Sequence, residues 1–294
     1  MPGKSRVAFN IFNYGLFGLF TFMCCYPLWY VFIYSISDPA KSSVETVILW
    51  PLGLSLSNLQ QTFQMKGIFR SITLSVARTV LGTCGTVFSC TLLGFVFSKK
   101  HFPARTLLYR MLIITMYVGG GMIPTYMVFR AYGLLNTFWV YIIPSLISAY
   151  YVILIKTYIE SIPISLEESA RLDGAGYFTV LTRIIFPMSK PIVATISCYA
   201  AVAQWNAWFD NHIYNFARKD LEVLQYKLYK FLNEAERLAN EIAESGQNID
   251  IENLMSPFGL RMTVTLISVI PILLVYPFLQ RYIVKGIMIG AVKG

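Results

Sequence analysis

The sequence predicts an all-α membrane protein with six transmembrane helices, on two observations. Of its 294 residues 56% are hydrophobic and only 13% are charged, about half the charged fraction of an average soluble protein. Six charge-poor runs approach or exceed the roughly 20 apolar residues that a helix needs to cross a bilayer. We expect these spans at 11–37, 71–97, 111–129, 138–155, 191–209 and 262–279, within one transmembrane domain that covers residues 1–294.

The first of these runs follows Lys4 and Arg6, as the apolar part of a signal peptide would. It is far longer than the roughly 7–15 apolar residues of a signal peptide, so we expect a retained first span. The five cysteines lie inside predicted spans and are odd in number. They therefore indicate small, buried apolar side chains and neither disulfides nor metal ligands.

The charges predict that both termini are cytoplasmic. With the N-terminus inside, the inner segments carry 13 Lys or Arg and 4 Asp or Glu, whereas the outer segments carry 10 and 11. Arg78, inside the second span, is the remaining basic residue. A basic excess on short inner loops is a topology signal, and its spread over several loops excludes a nucleic-acid-binding surface as its explanation. The inner segments are 1–10, 98–110, 156–190 and 280–294.

The third span contains an expected break, because Gly119, Gly120 and Gly121 precede Pro124 in its outer half. Glycines and proline disturb a helix. Irregular backbone at membrane depth indicates a water-filled or protein-lined cavity, whereas small residues also permit close helix packing. Both interpretations stay open here.

The largest outer loop, residues 210–261, contains a predicted helix at about 221–245. Its apolar residues recur at steps of four and three residues, which is the spacing of one helix face. Such a helix either covers the spans below it or receives a soluble partner. The face consists of Leu224, Leu228, Phe231, Ala235, Leu238 and Ile242.

The inner loop, residues 156–190, contains the polar stretch PISLEESARLDGAGYFTVLTRIIFPMSKP at 163–191. Ser165 and Glu168 have the spacing of a capping box, which predicts a helix from Leu166 to Arg171. Gly174 and Gly176 then permit a tight reversal.

A second helix is predicted from Tyr177 to Phe186, ending at Pro187. It places Phe178, Leu181 and Ile185 on one face, directed to the cytosol. That apolar face either binds a partner protein or lies flat on the lipid headgroups.

EESARLDGAG followed by IIFPMSKP resembles the EAA motif of binding-protein-dependent ABC importer permeases. Glu168, Ser169 and Ala170 stand for EAA, the Asp-Gly-Ala at 173–175 matches the carbohydrate branch, and Phe-Pro at 186–187 replaces Leu-Pro. Both replacements keep a helical turn and an apolar stop. We call residues 156–190 the EAA loop.

The resemblance extends beyond this loop. QWNAWF at 204–209 resembles the aromatic-Asn segment near the outer end of the fifth core span, and VYPFLQRYIVKGIMIGAVKG at 275–294 resembles the terminal signature of the family. Six spans within about 290 residues also resemble the maltose-type second permease subunit. GGGMIPTY and the terminal match most resemble permeases for polysaccharide-derived oligosaccharides, including alginate importers.

The resemblance implies the type I ABC importer permease fold in a bacterial inner membrane and a non-catalytic subunit that moves a carbohydrate, in particular an oligosaccharide. The implied partners are a homologous permease, two ATPase subunits and an extracytoplasmic solute-binding protein. No cofactor is expected on this chain; ATP and Mg²⁺ belong to the ATPase, since the sequence has no Gly-x-x-x-x-Gly-Lys-Ser/Thr phosphate loop. The implied ATPase-coupling residues are Glu167, Glu168, Ser169, Ala170, Arg171, Asp173 and Gly174.

Five residues are candidates for the substrate pathway. Arg78 either faces a cavity or snorkels outward from its span. The aromatic and amide groups at 204–208 suit a sugar ring, but they equally suit an interfacial aromatic belt. These candidates are Gln204, Trp205, Asn206 and Trp208, with Tyr117, Tyr126 and Tyr150 as further ones.

Two other classes of protein compete with this interpretation. An ion-coupled secondary transporter is the main alternative, but it usually needs intramembrane carboxylates, and the six predicted spans contain none. A polytopic membrane enzyme would need a metal-spaced histidine cluster or a nucleophile-base pair. Neither pattern is visible, and His101 and His212 stand apart from each other.

Overall fold

A computed structural model of the chain describes residues 4–233 and 257–291. The described residues form helices and connecting turns, with one isolated antiparallel bridge between Ser37 and Leu54. The chain divides into two compact units. The first comprises residues 1–68 and 228–271, and the second comprises residues 69–227 and 272–294.

Three described helical segments are long and apolar enough to cross a membrane: Phe9–Ser35, Ile68–Ser98 and Phe258–Pro277. Two bent pairs raise the number to five if each pair forms one span. One joins Phe138–Ser145 to Ala149–Glu160 with a bend of 43°, and the other joins Tyr177–Met188 to Lys190–Asn206 with a bend of 81°.

The first unit contains α1 (Lys4–Ser35), α2 (Pro39–Val44) and α3 (Ser57–Gln64). The Asp38 carboxylate accepts a hydrogen bond from the Ala40 N–H and so caps α2. Ile33, Tyr34 and Val47 form the core of the unit, against the partly buried residues Tyr30, Leu52 and Met262. The C-terminal end of α1 is therefore packed by the chain that follows it.

The second unit begins with α4 (Ile68–Ser98), followed by α5 (Arg105–Tyr117) and α6 (Met122–Ala131). Residues 118–121 separate α5 from α6, and Gly121 has φ +79°. The glycines thus break the helix, as the sequence predicts. A Cβ added at Gly119 would meet nothing within 4 Å, so close packing within the described chain does not explain this glycine.

The remaining helices of this unit follow two short 3₁₀ turns, Phe138–Tyr141 and Ile143–Ser145. They are α7 (Ala149–Glu160), α8 (Ile164–Leu172), α9 (Tyr177–Met188), α10 (Lys190–Asn206) and α11 (Phe209–Tyr214). The core joins α4, α7, α9 and α10 through buried side chains such as Phe95, Ile155, Val180 and Ile196. Gly94 lets α4 approach α7, because a Cβ there would lie 2.7 Å from the Ile155 side chain.

The predicted outer helix is only partly within the described chain. Residues 224–233 are helical and form α12. The remainder of the prediction, including Ala235, Leu238 and Ile242, lies outside the described residues. The last described helix is α13 (Pro257–Ala291).

All five cysteines are free thiols. Cys90 and Cys198 are buried, as expected for small apolar side chains. Cys24, Cys25 and Cys84 lie on exposed helix surfaces, so the prediction that all five are buried within the chain is wrong for these three. They belong to membrane-length helices, where an apolar side chain can face lipid.

Candidate functional site

The first helix of the EAA loop begins earlier than the sequence predicts. α8 starts at Ile164, directly after Pro163, and no side chain caps it. Ser165 and Glu168 therefore lie inside the helix, and the capping-box prediction is wrong. Pro163 occupies the N-cap position with φ −55° and ψ 124°, and its ring has no polar atom that could accept a hydrogen bond from the first turn.

The reversal after α8 is a Schellman motif centred on Gly174. Gly174 has φ +82°, a conformation that disfavours any residue with a Cβ. Its N–H donates to the Arg171 carbonyl at 3.0 Å, and the Ala175 N–H donates to the Ala170 carbonyl at 2.9 Å. These two bonds satisfy carbonyls at the end of α8. The predicted role of Gly174 in permitting the turn is confirmed.

The second helix does not end at Pro187. A π turn at Leu181–Ile185 precedes the proline, with the Phe186 N–H donating to the Leu181 carbonyl, and α9 continues to Met188. The wider turn interrupts the backbone hydrogen bonds between residues i and i+4 just before Pro187, which has no N–H to donate. The 81° bend then separates α9 from α10.

The apolar face predicted for α9 is divided between two environments. Leu181 and Ile185 are buried in the core of the second unit, so the prediction that they face the cytosol is wrong. Phe178 is exposed. Leu172 is 89% exposed. Sequence reasoning did not select this residue, although an apolar side chain beside the charged turn of α8 was a visible signal. The exposed apolar surface of the loop includes Ile164, Leu166, Leu172, Tyr177 and Phe178.

The two neighbouring glutamates of the motif face different surroundings. Glu167 forms ion pairs with Lys99 at the end of α4 and with Arg171, the latter at 2.8 Å. Arg171 also lies over the Tyr177 ring, 4.3 Å from its centroid. Glu168 is exposed and forms no ion pair with a described residue. Glu167 therefore braces the loop, while Glu168 presents its carboxylate outward.

The other predicted coupling residues complete this arrangement. Ala170 is half-buried and packs against the core of the second unit. Ser169 and Asp173 are exposed, and the Asp173 N–H donates to the Ser169 carbonyl at 3.1 Å. The loop thus combines a fixed inner side with an exposed outer side that carries apolar and acidic groups.

Arg78 lies at the centre of a buried polar network. It is 3% exposed and does not snorkel into solvent. Its Nε donates to the Gln204 Oε1 at 2.8 Å, and its Nη1 donates to the Ala207 carbonyl at 3.1 Å and to Asp210 at 3.0 Å. A second contact from Nη2 to Asp210 completes a bidentate ion pair. The guanidinium carbon lies 4.6 Å from the centroid of the Tyr141 ring.

A cavity of about 330 Å³ adjoins this network in the second unit. Gln204 lines it and donates from Nε2 to the Ser145 hydroxyl at 2.6 Å. Burial and, next, the neighbouring Asp210 carboxylate raise the pKa of the Tyr214 hydroxyl. The cavity lining includes Arg78, Thr86, Thr125, Phe129, Tyr141, Ser145, Tyr151, Gln204, Asp210 and Tyr214.

The structure separates the residues predicted at 204–208. Of the four candidates in this range, Gln204 alone lines the cavity that Arg78 also lines. Trp205 is buried, Asn206 is exposed and accepts a hydrogen bond from Gln225 at 3.4 Å, and Trp208 packs edge-on against Phe209. Sequence reasoning missed Asp210, whose only signal is that it directly follows the QWNAWF segment.

Of the further tyrosines, Tyr126 stacks on Tyr214, with ring centroids 6.2 Å apart. Tyr117 and Tyr150 are exposed. Among the described residues no group of three or more His, Cys, Asp or Glu is placed to hold a metal ion.

A helical unit with membrane-length segments, a braced two-helix surface loop and a part-polar cavity is the arrangement expected of a transport permease subunit. Residues 90–209, which include the EAA loop and Gln204, match the family described as "Binding-protein-dependent transport system inner membrane component".

Full-length relatives support the same family. The chain is 32% identical to the polygalacturonan/rhamnogalacturonan transport system permease protein YtcP of Bacillus subtilis (strain 168) over 298 residues, which cover 99% of this chain and 100% of that protein. It is 34% identical to protein LplC of the same organism over 287 residues, 97% of this chain and 94% of that one. The chain therefore belongs to the binding-protein-dependent transport system inner membrane components.

A solved structure shares the fold along almost the whole chain. It is the crystal structure of a bacterial ABC transporter involved in the import of the acidic polysaccharide alginate. One of its chains superposes with a TM-score of 0.85 and is 28% identical, covering 96% of this chain and 99% of that chain. The permease fold expected from the EAA motif is confirmed.

Proposed function

We propose that the chain is one of two permease subunits of a bacterial ABC importer that moves a carbohydrate, in particular an oligosaccharide, across the inner membrane. Support comes from the relatives: YtcP is named for polygalacturonan and rhamnogalacturonan transport, and the solved structure belongs to an alginate importer. The subunit itself catalyses no covalent step. A homologous permease completes the pathway, and an extracytoplasmic solute-binding protein delivers the substrate.

The observation that carries the transport mechanism is the outer surface of the EAA loop. Leu172 and Phe178 project from a turn that is braced by the Glu167–Lys99 ion pair and by the buried Leu181. An exposed apolar surface of this kind favours a protein partner. We assign that partner as the ATPase, with the free Glu168 carboxylate fixing its register through basic or amide groups. Two ATPase subunits bind ATP and Mg²⁺ and drive the permease pair.

The proposed orientation places the EAA loop and both termini in the cytoplasm. The excess of basic residues on the segments that flank the spans on this side supports the orientation. It also places the loop where ATP is available to the partner.

The cavity beside Arg78 is the proposed point at which this chain contacts substrate. Its volume, about 330 Å³, lies at the small end of ligand-binding cavities and suits one sugar ring of a longer chain. The half-buried Tyr214 ring offers an apolar face, and Asp210 offers a carboxylate for sugar hydroxyls. The Arg78 guanidinium already binds Asp210, so it positions that carboxylate.

The test is ATPase activity of the complete transporter in lipid vesicles. The chain is co-expressed with its neighbouring transporter genes, and a panel of binding proteins loaded with oligosaccharides is added. One loaded binding protein is expected to stimulate ATP hydrolysis and uptake. Glu168→Lys is expected to abolish that stimulation while the subunit still inserts into the membrane.

Glu45→Lys supplies the matched control, because Glu45 is also exposed but lies beyond the C-terminal end of α1, far from the EAA loop in the sequence. It is expected to leave the stimulation intact. Uptake that proceeds on an ion gradient with no copurifying ATPase would replace this proposal with an ion-coupled secondary transporter. Normal coupling in Glu168→Lys would remove the role of Glu168 alone.

A further inference from the structure

An uncharged apolar segment follows α2 in the first unit. Glu45 and Lys66 are the nearest charged residues on either side of residues 46–65. Within this segment Trp50 is 75% exposed and Leu54 is 82% exposed. We call residues 48–50, Ile48, Leu49 and Trp50, the apolar crest; all three side chains are exposed.

The crest is held in place from both ends. Val47 and the partly buried Leu52 pack into the core of the first unit. The Asp38 N–H donates to the Leu52 carbonyl at 3.0 Å, and the Leu52 N–H donates to the Ser37 hydroxyl at 3.2 Å. Because the residues on both sides are anchored inward, the three apolar side chains between them stay directed away from the core.

Two hydrogen bonds fix the crest to the side of α1. The Tyr26 hydroxyl donates to the Ile48 carbonyl at 3.1 Å, and the Trp29 indole N–H donates to the Leu49 carbonyl at 3.0 Å. Tyr26 and Trp29 lie before the end of α1 at Ser35. The chain therefore turns back along the helix after leaving it.

The length of α1 places this contact relative to the membrane. The apolar run Phe9–Ser35 contains 27 residues, about 40 Å at 1.5 Å per residue, whereas the hydrocarbon core is about 30 Å thick. If the inner boundary lies between Phe9 and Tyr14, the outer boundary falls at about residues 29–34. Tyr26 and Trp29 then lie at or below that boundary, and so do the carbonyls they hold.

We propose that the apolar crest inserts into the lipid leaflet at the C-terminal end of α1, with the Trp50 indole at the headgroup boundary. The crest continues the exposed apolar surface of α1, which includes Phe22 and Phe32. Tryptophan beside aliphatic residues is typical of the membrane interface. The lipid contact fixes the outer end of α1 at a set depth. It does not depend on what the protein transports.

The test places the photo-crosslinker p-benzoylphenylalanine at position 50 of the full chain in native membranes containing ³²P-labelled phospholipid. We expect a phospholipid adduct at a yield comparable with that at Phe20, which is exposed in the middle of α1. The yield at Gln60, exposed on α3, is expected to be several-fold lower. The adducts are separated by gel and identified by mass spectrometry.

Every other product at position 50 overturns the proposal. A crosslink to another protein would show that a subunit or binding protein covers the crest. A crosslink within the chain would show that it is covered by another segment of the same chain. A yield no higher than that at Gln60 would show that the crest faces water.

Discussion

Replacing Asp210 with alanine is expected to destabilise the protein by about 3 kcal/mol. The change leaves the Arg78 guanidinium buried without its counter-ion, a loss that costs about 3–5 kcal/mol in protein interiors. Arg78 is 3% exposed and directs two of its hydrogen bonds to Asp210. The Asp210 side chain is 23% exposed, so water reaches the pair and the cost lies at the lower end of the range.

The reverse change, Arg78→Leu, is expected to cost less, about 1–3 kcal/mol. Asp210 stays partly hydrated and keeps the Asn211 backbone N–H as a donor at 2.8 Å. The double variant removes both charges and leaves neither unpaired. Its loss is therefore expected to be smaller than the sum of the single losses, with a coupling of about 1–3 kcal/mol.

The assay is an SDS unfolding titration in mixed micelles at neutral pH, followed by tryptophan fluorescence. The matched control is Asp220→Ala, which removes an aspartate bound to Arg70 and Arg218 on an exposed surface. The Arg218 guanidinium lowers the pKa of Asp220 to about 2, so that carboxylate is charged throughout the titration. Water screens exposed pairs, and this variant is expected to unfold almost as the parent does.

If Asp210→Ala and Asp220→Ala destabilise equally, and the Arg78–Asp210 cycle shows no coupling, the buried ion pair does not contribute as the geometry requires.

Three further predictions concern the EAA loop and the packing of α4. Gly174→Ala is expected to lower substrate-stimulated ATPase activity, because φ +82° costs a residue with a Cβ about 1–2 kcal/mol. The control Gly176→Ala, at φ −73°, is expected to preserve that activity. Equal losses of activity in the two variants would contradict this prediction. Gly82→Ala is expected to lower the free energy of unfolding by about 1–3 kcal/mol, since its Cβ would lie 2.6 Å from the Gln204 Cδ. An SDS unfolding titration identical to that of the parent would count against this contact. Leu172→Asp is expected to release copurifying ATPase without changing stability, because the side chain is 89% exposed, and undiminished copurification would exclude it from the interface.

Local backbone features could be read from the sequence because their causes are local. Gly174 was predicted to permit a reversal, and the chain there adopts a left-handed conformation that a glycine accepts most easily. The break near Gly121 has the same origin. These features depend on the residue itself and its immediate neighbours.

The direction of side chains in the EAA loop was harder to predict. Helical spacing correctly relates Phe178, Leu181 and Ile185 as near neighbours on one helix, but it does not say which of them another helix covers. Leu181 and Ile185 join a core that includes Phe95 of α4 and Ile155 of α7. These helices are distant in sequence, so only the folded chain divides the face into a buried and an exposed part.

Composition and the order of residues determined the class of this protein. Few charges and long apolar runs indicate membrane spans, because unpaired charge in lipid is costly and spans therefore lack it. The EAA motif indicated the permease family. The tertiary structure alone decided that Arg78 is neutralised by Asp210, 132 positions later in the chain. The physical reason is that hydrophobic partition and backbone preference act along the sequence, whereas charge pairing acts through space and depends on which helix ends meet.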